Sequence, residues 1–356
     1  MNKFEKGVSP FIPKESDPAI LEQIASLKDE LKDDLVILGH HYQRDDVIRF
    51  ADVSGDSLIL SQKAAEMKKK HIVFCGVYFM AECADILSDE DQKVYLPDMR
   101  AGCSMADMAN INDVEVIWKH LTSGTNDKII PVTYINSSAE IKYFVGKNDG
   151  IICTSSNASR IFDWAMERGS KILFLPDQFL GMNTAISQGI PESEIFTLDR
   201  LPLAQKIKKS KVFLWNGYCS VHKRFTLNDV ISRRNEYPGI NIVVHGECTA
   251  DVVKASDAFG STSTIIKIIT EAKKGSVWAV GTEQHLVQRL KKRFPDKTIL
   301  PLSESGFQCV TMSLITPEKL LNTLKEIKTG STEHEIRVDP EIKHYAKIAL
   351  IRMLAL

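Results

Sequence analysis

The chain has no apolar run approaching the ~18 residues that a membrane span requires. Its opening residues, Met1-Asn2-Lys3-Phe4-Glu5-Lys6, hold no apolar core of the kind a secretory signal needs. A cytoplasmic protein without membrane contact is therefore expected. Charge of one sign is also missing: 45 Lys and Arg stand against 46 Asp and Glu, a formal charge of −1 over 356 residues. Nucleic-acid proteins usually carry a basic excess, so nucleic acid is not expected as a partner. The basic runs Lys68-Lys69-Lys70, Lys208-Lys209 and Lys291-Lys292-Arg293 close helix-like segments, where cations complement the dipole. There is no Walker loop and no G-x-G-x-x-G, so a nucleotide-binding fold is not indicated. The seven cysteines (75, 83, 103, 153, 219, 248 and 309) are odd in number, and no two are spaced C-x-x-C. That disfavours a disulfide framework, a zinc ribbon and a thioredoxin-type centre.

What is present is an ordinary globular composition, 44% hydrophobic and 26% charged. Ile20, Ile24, Leu27 and Leu31 recur at helical spacing and predict a first helix over 17–33. After it, short apolar runs alternate with polar loops and helices to the end of the chain. Strands are predicted at 35–38, 72–75, 94–96, 129–133, 150–153, 172–175, 212–215, 240–244, 258–259, 277–280 and 298–300. Short runs that are apolar throughout suit strands covered on both faces, and strand alternating with helix implies parallel sheets. The expected fold is α/β with short parallel sheets, and grouping the strands gives three units. Their expected limits are 1–125, 126–205 and 206–330. An Asp339-Pro340 helix start opens a C-terminal helix within 331–356, expected to pack on the core, against the first unit.

One pattern is written three times. Leu96-Pro97-Asp98 with Gly102, Leu175-Pro176-Asp177 with Gly181, and Leu300-Pro301 with Gly306 each follow a strand-like run. Such a repeat points to three similar units converging on one site. Cys103, Cys219 and Cys309 each follow a glycine-containing turn after a strand, in Gly102-Cys103, Gly217-Tyr218-Cys219 and Gly306-Phe307-Gln308-Cys309. Three thiolates on similar turns could hold zinc or an iron–sulfur cluster, and spacing alone does not choose between them. Cys75 and Cys83 read as packing residues, while Cys153 and Cys248 could line a pocket.

The strand ends carry further polar chemistry. His40 and Tyr42 emerge from an apolar strand near the turn Gly55-Asp56-Ser57, and such groups are costly to bury without partners. His245 and Glu247 alternate along an extended segment, so imidazole and carboxylate face one side, an arrangement suited to proton transfer. Thr154-Ser155-Ser156-Asn157 and Gly260-Ser261-Thr262-Ser263 lie where strands pass into helices. Such turns cap helices and also bind anions, which suggests a substrate bearing phosphate or carboxylate.

Together these motifs resemble the quinolinate synthase family. The matching segments are Gly39-His40-His41-Tyr42-Gln43, Gly55-Asp56-Ser57-Leu58, Tyr78-Phe79-Met80-Ala81-Glu82, Ala101-Gly102-Cys103-Ser104-Met105-Ala106, Tyr134-Ile135-Asn136-Ser137-Ser138-Ala139-Glu140-Ile141-Lys142, Cys153-Thr154-Ser155-Ser156-Asn157-Ala158, His245-Gly246-Glu247-Cys248 and Gly260-Ser261-Thr262. They run in family order from about residue 35 to Cys309. The resemblance implies three similar αβα units with short parallel sheets around a pseudo-threefold axis, and a [4Fe–4S] cluster at their junction, on Cys103, Cys219 and Cys309, with one iron left open as a Lewis acid. It implies condensation of iminosuccinate with dihydroxyacetone phosphate to quinolinate, releasing phosphate and water, in NAD biosynthesis. Substrate contacts carry over to His40, Ser57, Tyr134, Ile135, Asn136, Ser155, His245, Gly246, Glu247 and Thr262. Glu247, His245, Tyr42 and His40 are the catalytic candidates, and His222 matches a position near the site. Transient contact with an L-aspartate oxidase or dehydrogenase would be the route of iminosuccinate delivery.

Two positions depart from the family pattern. Some members cluster cysteines at the last ligand, whereas here Cys309 is followed by Val310-Thr311-Met312. The proline frequent between the paired His and Glu is Gly246. The alternative reading is a three-thiolate zinc hydrolase or lyase with Glu247 as base. A cluster-bearing regulator would need a basic DNA-reading element, and no such segment is apparent.

Overall fold

The computed structural model describes residues 16–356, so the reading of Met1–Lys6 lies outside the described residues. Three sheets organise the chain. The first holds β1 (Leu35–His40), β2 (Val53–Gly55), β3 (His71–Cys75) and β4 (Lys93–Tyr95), parallel in the order β2-β1-β3-β4. The second holds β5 (Ile129–Tyr134), β6 (Ile151–Cys153), β7 (Lys171–Leu175), β8 (Ile195–Leu198) and β9 (Val212–Trp215), parallel in the order β6-β5-β7-β9-β8. The third holds β10 (Asn241–His245), β11 (Ala258–Gly260), β12 (Val277–Gly281) and β13 (Thr298–Pro301), parallel in the order β11-β10-β12-β13. A two-residue strand, β14 (Glu335–Ile336), closes the first sheet antiparallel to β4.

The same core order therefore recurs three times: second strand, first, third and then a closing strand, β4, β9 or β13, counted here as the fourth; β8 is an extra edge strand of the second sheet, beyond β9. All eleven predicted strands are present. Those missed are short or at an edge: β2 reads Val-Ser-Gly, β8 is half-buried along its whole length, and β14 spans two residues. The central strands β1, β5 and β7 are buried at every position, as apolar runs between helical layers must be. Phe174 on β7 is fully buried, and truncating it to Ala is expected to cost about 3–5 kcal/mol.

Three expectations need correction. Grouping by sequence placed Val212–Trp215 beyond the second unit's limit at 205, but β9 pairs with β7 and β8 in the second sheet. The Leu-Pro repeat is not threefold in space. Leu96 and Leu300 follow or end fourth strands, whereas Leu175 ends the third strand β7, and Gly181 lies inside the helix Gln178–Ser187. The structural counterpart in the second unit is the Asn216–Cys219 turn after β9. The C-terminal helix Pro340–Leu354 is capped by Asp339 as predicted, but it packs mainly on the helix Ala139–Lys147 of the second unit. Gly146 permits this contact: a Cβ there would collide with the Tyr345 main chain. The same helix also reaches Tyr78–Leu87 of the first unit, so it ties two units together.

Candidate active site

The repeat puts chemically active positions in register. The first strands of the three sheets end at His40, Tyr134 and His245, which pair with Gly55, Cys153 and Gly260 at the ends of the second strands. In each unit the next amide donates back to that partner: His41 to Gly55 at 3.1 Å, Ile135 to Cys153 at 2.8 Å, Gly246 to Gly260 at 3.0 Å. Two residues past the first strands stand Tyr42, Asn136 and Glu247. Two residues past the second strands stand Ser57, Ser155 and Thr262. The loops after the fourth strands carry Cys103, Cys219 and Cys309. All of these side chains line one cavity enclosing about 640 Å³, mouth included. Carboxyl ends of parallel strands are where such folds place their ligands, and here three sheets aim those ends at one point.

Of the predicted site residues, Ile135 and Gly246 do not line this cavity. Ile135 is a core side chain, and Gly246 borders a neighbouring pocket that shares Ser155. Cys75, Cys83, Cys153 and Cys248 are all buried in packing, so the expectation that Cys153 and Cys248 could line the pocket is not met.

Each of the three convergent cysteines opens a helical turn. The amide four residues on bonds its carbonyl: Asp107 to Cys103 at 3.1 Å, Lys223 to Cys219 at 3.1 Å, Ser313 to Cys309 at 3.2 Å. Backbone amides of Ala106 and Met105, of His222, and of Met312 and Thr311 favour the respective thiolates. Burial opposes them and dominates: it pushes Cys103 up to about 12 and raises Cys219 and Cys309. Gly217 keeps the Cys219 loop tight, since a Cβ there would strike the Pro176 carbonyl. All three thiols are free.

Glu247 is the centre of the polar network. Its carboxylate accepts from Tyr134 Oη at 2.6 Å and meets His222 Nδ1 at 2.7 Å, with His245 Nδ1 at 3.7 Å. Burial alone would raise its pKa, but His245, His222 and the two hydrogen bonds hold it well below the carboxylate range. It is an ionised base in a buried site. His222 stacks on His245 at 4.2 Å and shares its Nε2 with Thr282 Oγ1 at 3.1 Å. Tyr42 Oη bridges Thr262 at 3.0 Å and Thr282 at 2.9 Å. Burial and neighbouring cations and histidines depress His40 and His245 to about 3, so both are neutral near pH 7. Asp56 caps its helix through Leu58 and Ile59 and accepts from Ser156 at 2.9 Å and Ser263 at 2.6 Å, joining three units behind Ser57.

Val77, Phe79, Met80, Met105 and Val221 supply an apolar wall. Among the described residues no lysine or arginine lines the cavity. Three thiols and an ionised carboxylate thus meet where the described residues provide no fixed cation. A cationic metal group fits that donor set, because only such a partner would ionise thiols that burial holds protonated. Asn136 Oδ1 is buried without a partner among the described residues and faces the same space. Thr282, Met105 and Met312 were not singled out from sequence. Gly281-Thr282 was visible as a polar strand end, but nothing in the sequence shows that Thr282 joins Tyr42 to His222.

The comparisons agree with this geometry. A family model described as quinolinate synthetase A protein matches residues 22–355. A protein named quinolinate synthase from Acidobacterium capsulatum is 48% identical over 347 residues, covering 95% of this chain and 93% of its own. One of the same name from Streptomyces coelicolor is 48% identical over 355 residues, covering 97% and 90%. Another, from a Geobacillus species, is 49% identical over 339 residues, covering 94% and 92%. No helix among the described residues is long and apolar enough to cross a membrane. With its parallel sheets and strand-end cavity in place, the chain belongs to the quinolinate synthetase A family of enzymes.

Proposed function

We propose that this protein forms quinolinate for NAD synthesis from iminosuccinate and dihydroxyacetone phosphate, releasing phosphate and water. The convergence of Cys103, Cys219 and Cys309 on a cavity that also holds ionised Glu247 carries this reading. The three cysteines would hold a [4Fe–4S] cluster. When bound, it supplies a Lewis-acidic iron that no protein side chain occupies.

The chain's own residues account for the rest. Glu247, fixed by Tyr134 and His222, accepts protons from carbon or nitrogen during condensation and ring closure. Neutral His40 and His245 can each donate or accept a proton without adding net charge. Ser57 and Thr262 open helices and Ser155 lies in the turn leading into one, where hydroxyls and amides hold phosphate or carboxylate oxygens. The apolar wall excludes water from an imine that water would hydrolyse. Cytoplasmic location and transfer of iminosuccinate from an L-aspartate oxidase or dehydrogenase complete the reading.

One observation favours a second reading. Ligand atoms of Cys219, His222 and Glu247 lie within 4.8 Å of one another, a mixed donor set that suits zinc. Anaerobic purification separates the two. A brown protein with about four irons that makes quinolinate from the two reactants supports the synthase. A colourless zinc protein inactive in that assay overturns it.

A further inference from the structure

The third strands supply a set of positions that the proposed reaction does not use. β3, β7 and β12 lead into the helices Tyr78–Leu87, Gln178–Ser187 and Gln284–Arg293. The first helical amide of each reaches the carbonyl two residues before a convergent cysteine. Tyr78 donates to Ala101 at 2.7 Å, Gln178 to Gly217 at 2.9 Å, and Gln284 to Phe307 at 2.9 Å. Each cysteine loop is therefore pinned to its unit by the same main-chain bond. The residue capping each helix differs: Val77, Asp177 and Glu283.

Those caps form a graded series. Val77 makes no side-chain cap bond. Asp177, fully buried, accepts from Leu180 N at 2.8 Å through Oδ1; its Oδ2 has no hydrogen-bond partner among the described residues, although the Cys219 amide is among the groups that favour its ionised form. Glu283, equally buried, is one methylene longer. It caps His285 N at 2.7 Å through Oε2, and its Oε1 reaches the Cys309 amide at 3.3 Å. Oε1 also meets His285 Nδ1 at 2.9 Å. His285 Nε2 contacts Gln308 at 3.2 Å, Gln308 donates to Ser313 Oγ at 2.8 Å, and Ser313 Oγ donates to the Cys309 carbonyl at 2.9 Å. Both main-chain groups of Cys309 are thus held by one carboxylate-anchored network.

We propose that Glu283 is a positioning residue for Cys309, and that anchoring of the cysteine loops falls in the order Cys309, Cys219, Cys103 as the cap shortens from Glu to Asp to Val. This rests on the reading that the three thiols bind one metal group, and it adds how the protein sets one of them. A buried carboxylate that bonds an amide directly, and an adjoining imidazole, are the outer-shell devices that orient ligands. Glu283 carries both.

Glu283→Asp is the informative variant. Asp caps the equivalent helix in the second unit, so the cap persists while the side chain, one methylene shorter, no longer bonds the Cys309 amide. In the metal-free protein, hydrogen exchange of the 306–314 segment should accelerate about tenfold, the size of one charge-assisted hydrogen bond. Exchange of 101–107 and 217–224 should be unchanged. After anaerobic reconstitution, the same variant should show an altered electron-paramagnetic-resonance signal when reduced and faster iron release to a chelator. Glu283→Gln, measured alongside, removes the charge and should shift the reduction potential upward. Uniform acceleration across all three segments, or none at 306–314, overturns the proposal. If wild-type protein binds no iron, the cluster reading fails, whereas the exchange comparison still decides the role of Glu283.

Discussion

Two sets of positions around the cavity use the threefold repeat in opposite ways. After the fourth strands every unit supplies the same group, a cysteine opening a helical turn. At and just past the ends of the first strands, the units diverge to His40 and Tyr42, Tyr134 and Asn136, and His245 and Glu247. The hydroxyls Ser57, Ser155 and Thr262 follow the thiols and stay alike. Identical donors suit an inorganic centre that several protein arms grip equivalently. Different groups suit organic reactants whose two ends must be told apart. A repeat preserved in one shell and broken in the next is therefore informative about what each shell touches.

Substitutions can break this comparison. The largest effect is expected at the alike positions: Cys103→Ser, Cys219→Ser and Cys309→Ser should each abolish bound iron and activity, read by iron and sulfide content after anaerobic purification. Retention of full iron content by any one would show that the thiols are not equivalent. Among the unlike positions Glu247→Gln should matter most, lowering kcat/KM by about 10³ with iron content unchanged. Loss of iron together with activity would instead place Glu247 among the ligands. Tyr42→Phe removes the hydroxyl that joins Thr262 to Thr282 and should cost about tenfold in kcat. Steady-state kinetics on both reactants would show whether KM moves instead.

The smallest effect concerns stability. Burial, the larger cause in each case, holds His40 and His245 at about 3, below their ordinary 6.5. A histidine with a depressed folded-state pKa binds its proton more readily in the unfolded chain. Its stabilising contribution is full above 6.5 and is lost as pH falls from 6.5 towards 3. The pair should together remove about 2 kcal/mol between pH 6.5 and 5.5, read by denaturant unfolding at each pH. His40→Asn and His245→Asn should flatten that slope. An unchanged slope would mean that both imidazoles remain solvated.

Much of this arrangement was legible before any coordinates. Apolar runs located eleven of the fourteen strands among the described residues, because strands packed between layers are apolar along most of their length. The convergent cysteines were separable from the packed ones because each follows a glycine turn. Val53–Gly55 and Glu335–Ile336 were not legible, since two or three residues of mixed polarity carry no periodicity, and Ile195–Leu198 was missed as a half-exposed edge strand. The Leu-Pro repeat misled at Leu175 because a third-strand end can share local turn chemistry with a fourth-strand end. Assignment of β9 to the second sheet depends on pairing with β7, which no local pattern encodes. Glu283 was not singled out and Asp177 stood out only within the Leu-Pro-Asp repeat, because their partners lie 26 residues away at Cys309 in one case and across a strand at Gly217 in the other.

Because each unit lends one thiol, one hydroxyl and one strand end, the chamber belongs to none of them. A nascent chain released as far as the second sheet has two of the sulfurs and only part of the wall. Until Cys309 has emerged and docked, the polypeptide offers no complete grip for an inorganic guest. Any such guest would therefore be fitted last, after the scaffold has closed.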